Sequence, residues 1–130
     1  MRDRILVTEP LTDAQHRRVG WENRQGVYDT RTQLNYMRLI RDASGGDRIL
    51  FGGKLAHAFG DATSAPSDFE ARTYESLAGA FQRTFPQLED VRFSHAWSGP
   101  IALTTRMAVH FQHYFDGAVI WAGGYSGFGV

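Results

Sequence analysis

The sequence predicts an α+β fold, a mixed, largely antiparallel sheet with helices on one side, and three observations carry that expectation. Residues 34–53 hold two β-prone runs joined by a glycine-rich reversal. Residues 69–85 carry an apolar stripe at helical spacing. Residues 91–124 return to β-prone runs, so the order is strands, one helix, strands, without the strict alternation of a βαβ chain.

Taken in order, "RILVTEPL" (4–11) is apolar and β-prone until Pro10 stops it. "LTDAQHRRVGWENRQG" (11–26) is polar and ends in Gly26, and reads as a connection with one helical turn. "VYDTR" (27–31) is a short β-prone run. In "LNYMRLIRD" (34–42), Leu34, Tyr36, Arg38 and Ile40 alternate with Asn35, Met37, Leu39 and Arg41. Strand side chains point to opposite faces with period two, so this strand has apolar contacts on both sides. "ASGGD" supplies a reversal and "RILFGG" (48–53) returns, which makes a hairpin.

"FGDATSAPSDFE" (59–70) is loop chemistry that offers Ser67 or Asp68 as a helix N-cap. Phe69, Thr73, Tyr74, Leu77, Phe81 and Phe85 then recur every three or four residues, one face of a helix that Pro86 ends. "VRFSHAWSG" (91–99) places Val91, Phe93, His95 and Trp97 on one strand face. "IALTTRMAVHF" (101–111) and "GAVIWAGG" (117–124) read as further strands.

Composition bounds the function classes. The chain has 130 residues, 42% hydrophobic and 22% charged, enough for one domain with a real core. Fourteen basic residues balance fourteen acidic ones, which gives no electrostatic case for nucleic acid or an anionic membrane as partner. Without cysteine there is no disulfide framework, thiolate nucleophile or cysteine-based zinc site. No apolar run approaches the roughly 20 residues a membrane helix needs, and "MRDRILVTEPL" is not a signal peptide. A cytoplasmic protein is expected.

Three stretches invite a chemical reading. In "GGYSGFGV", Gly123, Gly124, Gly127 and Gly129 leave main-chain N–H groups unshielded after a strand, a turn that suits an anionic or electron-rich group or simply tight packing. It lacks the order of a dinucleotide G-x-G-x-x-G. It also lacks a nucleophile elbow around Ser126, because Phe128 stands where the second glycine belongs. His110 and His113 lie three apart among Phe111, Tyr114 and Phe115 with no carboxylate between them, and read as ordinary partly buried histidines; no metal is expected. His95, between Phe93 and Trp97, reads as a core or pocket-wall histidine.

Three stretches, "GVYDTRTQLNYMRLIRD…DRILFGG", "FPQLEDVRFSHAWSGPIALTTRM" and "VIWAGGYSGFGV", together resemble the C-terminal half of FAD-dependent oxidoreductases of the D-amino-acid oxidase superfamily. The branch is that of the gamma-glutamylputrescine oxidoreductase-like enzymes. The resemblance implies that residues 1–120 correspond to the substrate-binding domain, whose sheet roofs the flavin. Residues 121–130 then correspond to a glycine-rich strand and turn beside FAD, cut before its helix. The N-terminal FAD-binding Rossmann half is absent from these residues, since no G-x-G-x-x-G occurs.

Carried over by position, Gly124, Ser126, Gly127, Phe128 and Gly129 would lie by the cofactor, where backbone N–H donors favour the negative charge of a reduced flavin. Tyr36, Arg38, His95, Trp97 and Ile101 are candidates for the substrate pocket; no catalytic base is assigned. Many amino-acid-oxidising relatives carry W-x-G-x-R-P, in which the arginine clamps the substrate carboxylate. Here "WSGPIA" puts Ile101 at that position, so the resemblance implies an amine or modified amino compound as substrate. The resulting expectation is a partial module of an enzyme that oxidises a C–N bond to an imine, inactive alone and without FAD of its own. Two alternatives stand beside it. One is a free-standing, non-catalytic domain that forms a homodimer or pairs with a separate FAD-binding subunit. The other is an unrelated small-ligand-binding α+β domain.

Overall fold

A computed structural model describes residues 2–56 and 70–125, with the side chains of 54–56 outside that description. Strand β1 (Arg2–Thr8) is followed by helix α1 (Asp13–Val19), β2 (Val27–Tyr28), β3 (Tyr36–Arg41), β4 (Asp47–Ala56), α2 (Ala71–Thr84), a 3₁₀ turn (Pro86–Leu88), β5 (Phe93–Pro100), β6 (His110–Tyr114) and β7 (Val119–Gly123). The chain divides into two compact units, Arg2–Gly99 and the stretch from Pro100 onward.

The first unit is built on a five-stranded sheet in the order β2-β3-β4-β1-β5. The β2–β3, β3–β4 and β4–β1 pairs are antiparallel, as expected of an α+β chain. The hairpin over 34–53 forms with Met37 opposite Phe51 and Leu39 opposite Ile49. That register puts the four apolar side chains on one face, where α2 packs against β1 and β4. Leu77, Ala80 and Phe81 of α2 are buried there, and Phe81 meets Phe51 edge-on at 5.5 Å and Phe93 at 5.1 Å. The buried Leu77 and Phe81 side chains contribute about 1.5–3 kcal/mol each.

Helix α2 ends before Pro86 as its sequence requires, but begins at Ala71 with Glu70 in the N-cap position and no side-chain cap. Ser67, Asp68 and Phe69, from which its start was expected, lie outside the described residues.

Helix α1 is longer than the single turn expected. Thr12 Oγ1 accepts from the Gln15 N–H at 3.2 Å, and Gln15 Oε1 accepts from the Thr12 N–H at 2.8 Å, a reciprocal capping box. Gly20, left-handed at φ 65°, closes the other end by donating to the His16 carbonyl. Two aspartates fix the helix to its surroundings. Asp90 accepts from Arg18 at 2.8 and 2.9 Å and from Gln15 at 3.2 Å. Asp47 meets Arg24 at 2.7 Å and His16 at 3.2 Å.

In the second unit, β6 and β7 form an antiparallel ribbon with His110 opposite Gly123 and Tyr114 opposite Val119. The strand expected over 101–111 is formed only from His110. Thr104 Oγ1 donates to the Ala108 carbonyl at 2.7 Å and accepts the Ala108 N–H at 3.1 Å, while the Met107 N–H donates to the Thr104 carbonyl at 3.0 Å. These local bonds satisfy the backbone within a turn and remove the donors and acceptors a strand ladder would use.

Candidate functional site

The sheet face turned away from α2 carries Ile5 and Val7 of β1, Tyr36, Arg38 and Ile40 of β3, and Arg48, Leu50 and Gly52 of β4, as the two registers dictate. Its organising feature is a bulge in β4 opposite Asp3: between the pairs Arg2–Ala56 and Arg4–Gly53 one residue of β1 faces two of β4. Asp3 stands opposite that bulge, where the ladder is locally disrupted. Tyr36 stands opposite Gly52, and a Cβ added at Gly52 would lie 2.1–2.4 Å from atoms of the tyrosine ring. The missing Cβ lets the ring cross β4 and donate its hydroxyl to the Asp3 carboxylate.

Burial pushes the Asp3 carboxyl above its usual range, against the lowering effect of the Tyr36 hydroxyl and the Arg4 backbone N–H. Burial, followed by the hydrogen bond to Asp3, raises the Tyr36 phenol in turn. Both groups therefore hold their protons more tightly than in water.

A depression of about 300 Å³ is lined by Val7, Ile40, Asp42, Arg48, His95 and Trp97. Arg48 is held by three bonds: Nε donates to Asp42 at 3.1 Å, and Nη1 donates to the Thr8 carbonyl at 3.0 Å and to Ser94 Oγ at 2.8 Å. Ser94 Oγ lies 2.9 Å from His95 Nδ1. Arg48 is thus a clamp joining three strands, its charge offset by Asp42, and the rest of the depression is an apolar and aromatic slot. Arg38, exposed on the same sheet face, forms no ion pair among the described residues.

Of the sequence candidates, the structure brings His95 and Trp97 into one depression. Tyr36 and Arg38 share the sheet face, with Tyr36 turned to Asp3. Ile101 lies in the second unit, half-buried, its carbonyl accepting from the Leu103 N–H at 3.1 Å. The common face expected for Val91, Phe93, His95 and Trp97 is split: Val91 and Phe93 pack against the core, and the other two line the depression beside Val7 and Arg48. β5 is an edge strand with one neighbour, so its twist is less constrained than that of an inner strand and alternation does not persist along it.

Gly124 takes a left-handed φ of 67°, and a Cβ there would lie 2.3 Å from Thr104 Cγ2, so the turn after β7 requires glycine. Ser126, Gly127, Phe128 and Gly129 lie outside the described residues. His110 and His113 are exposed rather than partly buried, and their odd spacing sets them on opposite faces of β6. Sequence reasoning missed Asp3 and Arg48. The available signal was Gly52 opposite Tyr36, since a glycine facing an aromatic across a hairpin marks a ring that lies over the neighbouring strand.

The model of the FAD dependent oxidoreductase family matches residues 1–130. The chain belongs to the FAD-dependent oxidoreductase family. Within that family it is similar to the "Probable oxidoreductase OrdL" of Haemophilus influenzae, 33% identical over 126 residues, which are 97% of this chain and 25% of the relative. It is also similar to the "Gamma-glutamylputrescine oxidoreductase" of Escherichia coli, 31% identical over 126 residues, 97% of this chain and 26% of that protein. A second OrdL, from Rhizobium meliloti, is 31% identical over 106 residues, 82% of this chain and 22% of the relative. This family member therefore spans about a quarter of the length of the curated relatives it matches. No solved structure matches it.

Proposed function

We propose that these residues are the substrate-binding part of an FAD-dependent oxidoreductase that oxidises the carbon–nitrogen bond of an amine or modified amino compound. The observation that carries the reading is the family match across the whole chain together with a quarter's coverage of the relatives. The name of the Escherichia coli relative supports an amine-bearing compound as the substrate class. Ile101, at the position of the carboxylate-clamping arginine in amino-acid-oxidising relatives, supports it again, because an isoleucine cannot hold a carboxylate.

The chemistry FAD supplies when bound is two-electron oxidation of the substrate to an imine. These residues would meet a flavin's edge rather than its diphosphate, since no G-x-G-x-x-G occurs; Thr104 Cγ2 fills the space a Cβ at Gly124 would take, so what the turn would offer is main-chain N–H groups. Gly124, Ser126, Gly127, Phe128 and Gly129 would offer backbone N–H groups to that edge. Trp97, Val7 and Ile40 exclude water from the substrate's apolar body, and Arg38 is the cation open to an acidic group on it. No strong base is required of the chain. The setting is cytoplasmic.

On this reading the 130-residue chain alone binds FAD weakly or not at all and shows no amine turnover. Titrating FAD into the purified chain while following flavin fluorescence tests it; tight stoichiometric binding would overturn the partial-module reading. A second reading is a non-catalytic domain that forms a homodimer or pairs with a separate FAD-binding subunit. The exposed apolar side chains of the β6–β7 ribbon favour it. Sedimentation separates the two: a clean monomer at micromolar concentration argues against self-association.

A further inference from the structure

His95 lines the depression beside Trp97, and the hydrogen bonds around its neighbour Ser94 decide which of its ring nitrogens carries the proton. Ser94 Oγ lies 2.8 Å from Arg48 Nη1, 2.9 Å from the Thr8 carbonyl, 3.4 Å from the Val7 carbonyl and 2.9 Å from His95 Nδ1. A serine hydroxyl has one proton to donate and two lone pairs with which to accept. Arg48 is always a donor and takes one lone pair, and the two carbonyls only accept. Were the hydroxyl proton turned to His95, Ser94 Oγ would face the Thr8 oxygen at 2.9 Å with no hydrogen between them, two partial negative charges in repulsion. The proton therefore lies toward Thr8, and the remaining lone pair accepts from His95. Nδ1 is then the protonated nitrogen, and in the neutral ring Nε2 keeps its lone pair.

That lone pair is uncommitted. Nε2 makes no hydrogen bond among the described residues. Asp42 already accepts from the Ser44 N–H and hydroxyl, the Gly46 N–H and Arg48 Nε, while the polar atoms of Arg48 and Trp97 are donors. Val7, Ile40 and the Trp97 ring supply an apolar and aromatic wall. Trp97 is 42% exposed, and an open indole face attracts a positive charge. The depression thus suits a ligand with an apolar chain and a cationic N–H donor.

We infer that Ser94 is a positioning residue that holds His95 in its Nδ1–H form, and that His95 Nε2 accepts a hydrogen bond from the nitrogen of an amine bound against Trp97. The choice of an amine rests on the oxidoreductase reading, whereas the placing of the proton rests on the Ser94 geometry alone. A quaternary ammonium of the same charge has no N–H to give and loses this bond.

The test uses the full 130-residue chain with ¹⁵N-labelled histidine, at a pH about two units above the ordinary histidine value. His95 is assigned from the signals lost in His95→Gln. Its ring nitrogens are expected to report a protonated Nδ1 and a bare Nε2. Ser94→Ala should move the proton toward Nε2 with the circular dichroism of the fold unchanged. Butylamine is expected to shift Nε2 saturably and to bind roughly tenfold more tightly than butyltrimethylammonium, the weight of one charge-assisted hydrogen bond. Four results would each overturn the inference: a proton on Nε2 in the wild type, an unchanged tautomer in folded Ser94→Ala, no saturable shift with butylamine, or equal affinity for the two probes. None of these readouts involves flavin, so tight FAD binding, which overturns the partial-module reading, leaves the Nδ1–H form of His95 standing.

Discussion

The stretch from Arg2 to Gly99 and the ribbon of β6 and β7 are rich in the same side chains and use them in opposite ways. In the first, Phe51, Phe81 and Leu77 are fully buried between a sheet and a helix. In the second, Ile120 is 73% exposed and Phe115 at the turn 80%. Apolar content does not itself make a core; enclosure needs a second layer. The five-stranded sheet has α2 on one face, while a two-stranded ribbon described by itself has no face closed. The lesson is that β-proneness predicts the element, and the layer above it decides what that element contributes to stability.

The strongest way to break this contrast is to truncate one ring in each region. Phe81→Ala removes the side chain at the centre of the Phe51, Phe85 and Phe93 cluster and is expected to cost about 3–5 kcal/mol in urea unfolding. Ile120→Ala, in the ribbon, should stay within about 0.5 kcal/mol on the same measurement. Equal losses in the two variants would mean that the ribbon is as much a part of the folding core as α2.

Next in size is Gly52→Ala. The added Cβ meets the Tyr36 ring at 2.1–2.4 Å, so the ring must leave Asp3, at a cost of about 1–3 kcal/mol. The double variant Gly52→Ala/Tyr36→Ala should recover part of that loss; a purely additive double variant would show that the strain lies in the backbone rather than in the ring. Smaller again is Thr12→Ala, which opens the capping box of α1 for about 1 kcal/mol, read as a lower thermal midpoint.

The last contrast is one of sign, read from urea midpoints between pH 3 and 7. The hydrogen bond from the Ser44 hydroxyl, with further donors from Gly46 and Arg48, holds Asp42 below the usual carboxylate range. Its contribution is present above the ordinary value of 3.8 and is lost as pH falls through the lowered folded pKa. Asp3, raised by burial, behaves oppositely: its contribution is complete below 3.8 and lost as pH rises through the raised folded pKa. Asp3→Asn should therefore gain on the wild type as pH rises. Asp42→Asn should lose most near neutrality and least in acid.

Much of this was legible in the sequence. The stripe through Leu77 and Phe81 foretold α2, and the alternation over 34–42 with "ASGGD" foretold the hairpin, although the apolar contacts expected on both of its sides close fully only over the Met37 and Leu39 face, with Arg38 exposed on the other. The capping box Thr12–Gln15 was present in the letters as well, although the polar composition around it concealed two turns of helix. The candidate site was less legible. His95 and Trp97 were picked out, but by an alternation from Val91 that an edge strand does not keep.

The sequence by itself determined the local periods, the hairpin register, the composition and the family, because those depend on neighbours along the chain. Only the tertiary structure decided that β1 lies between β4 and β5, that Tyr36 crosses Gly52 to reach Asp3, and that Arg48 joins three strands. It also decided that Thr104 takes the backbone of 104–108 away from a strand. The long-range choices among these depend on which surfaces meet across tens of residues, where a bulge, a missing Cβ or one clamped guanidinium outweighs local propensity.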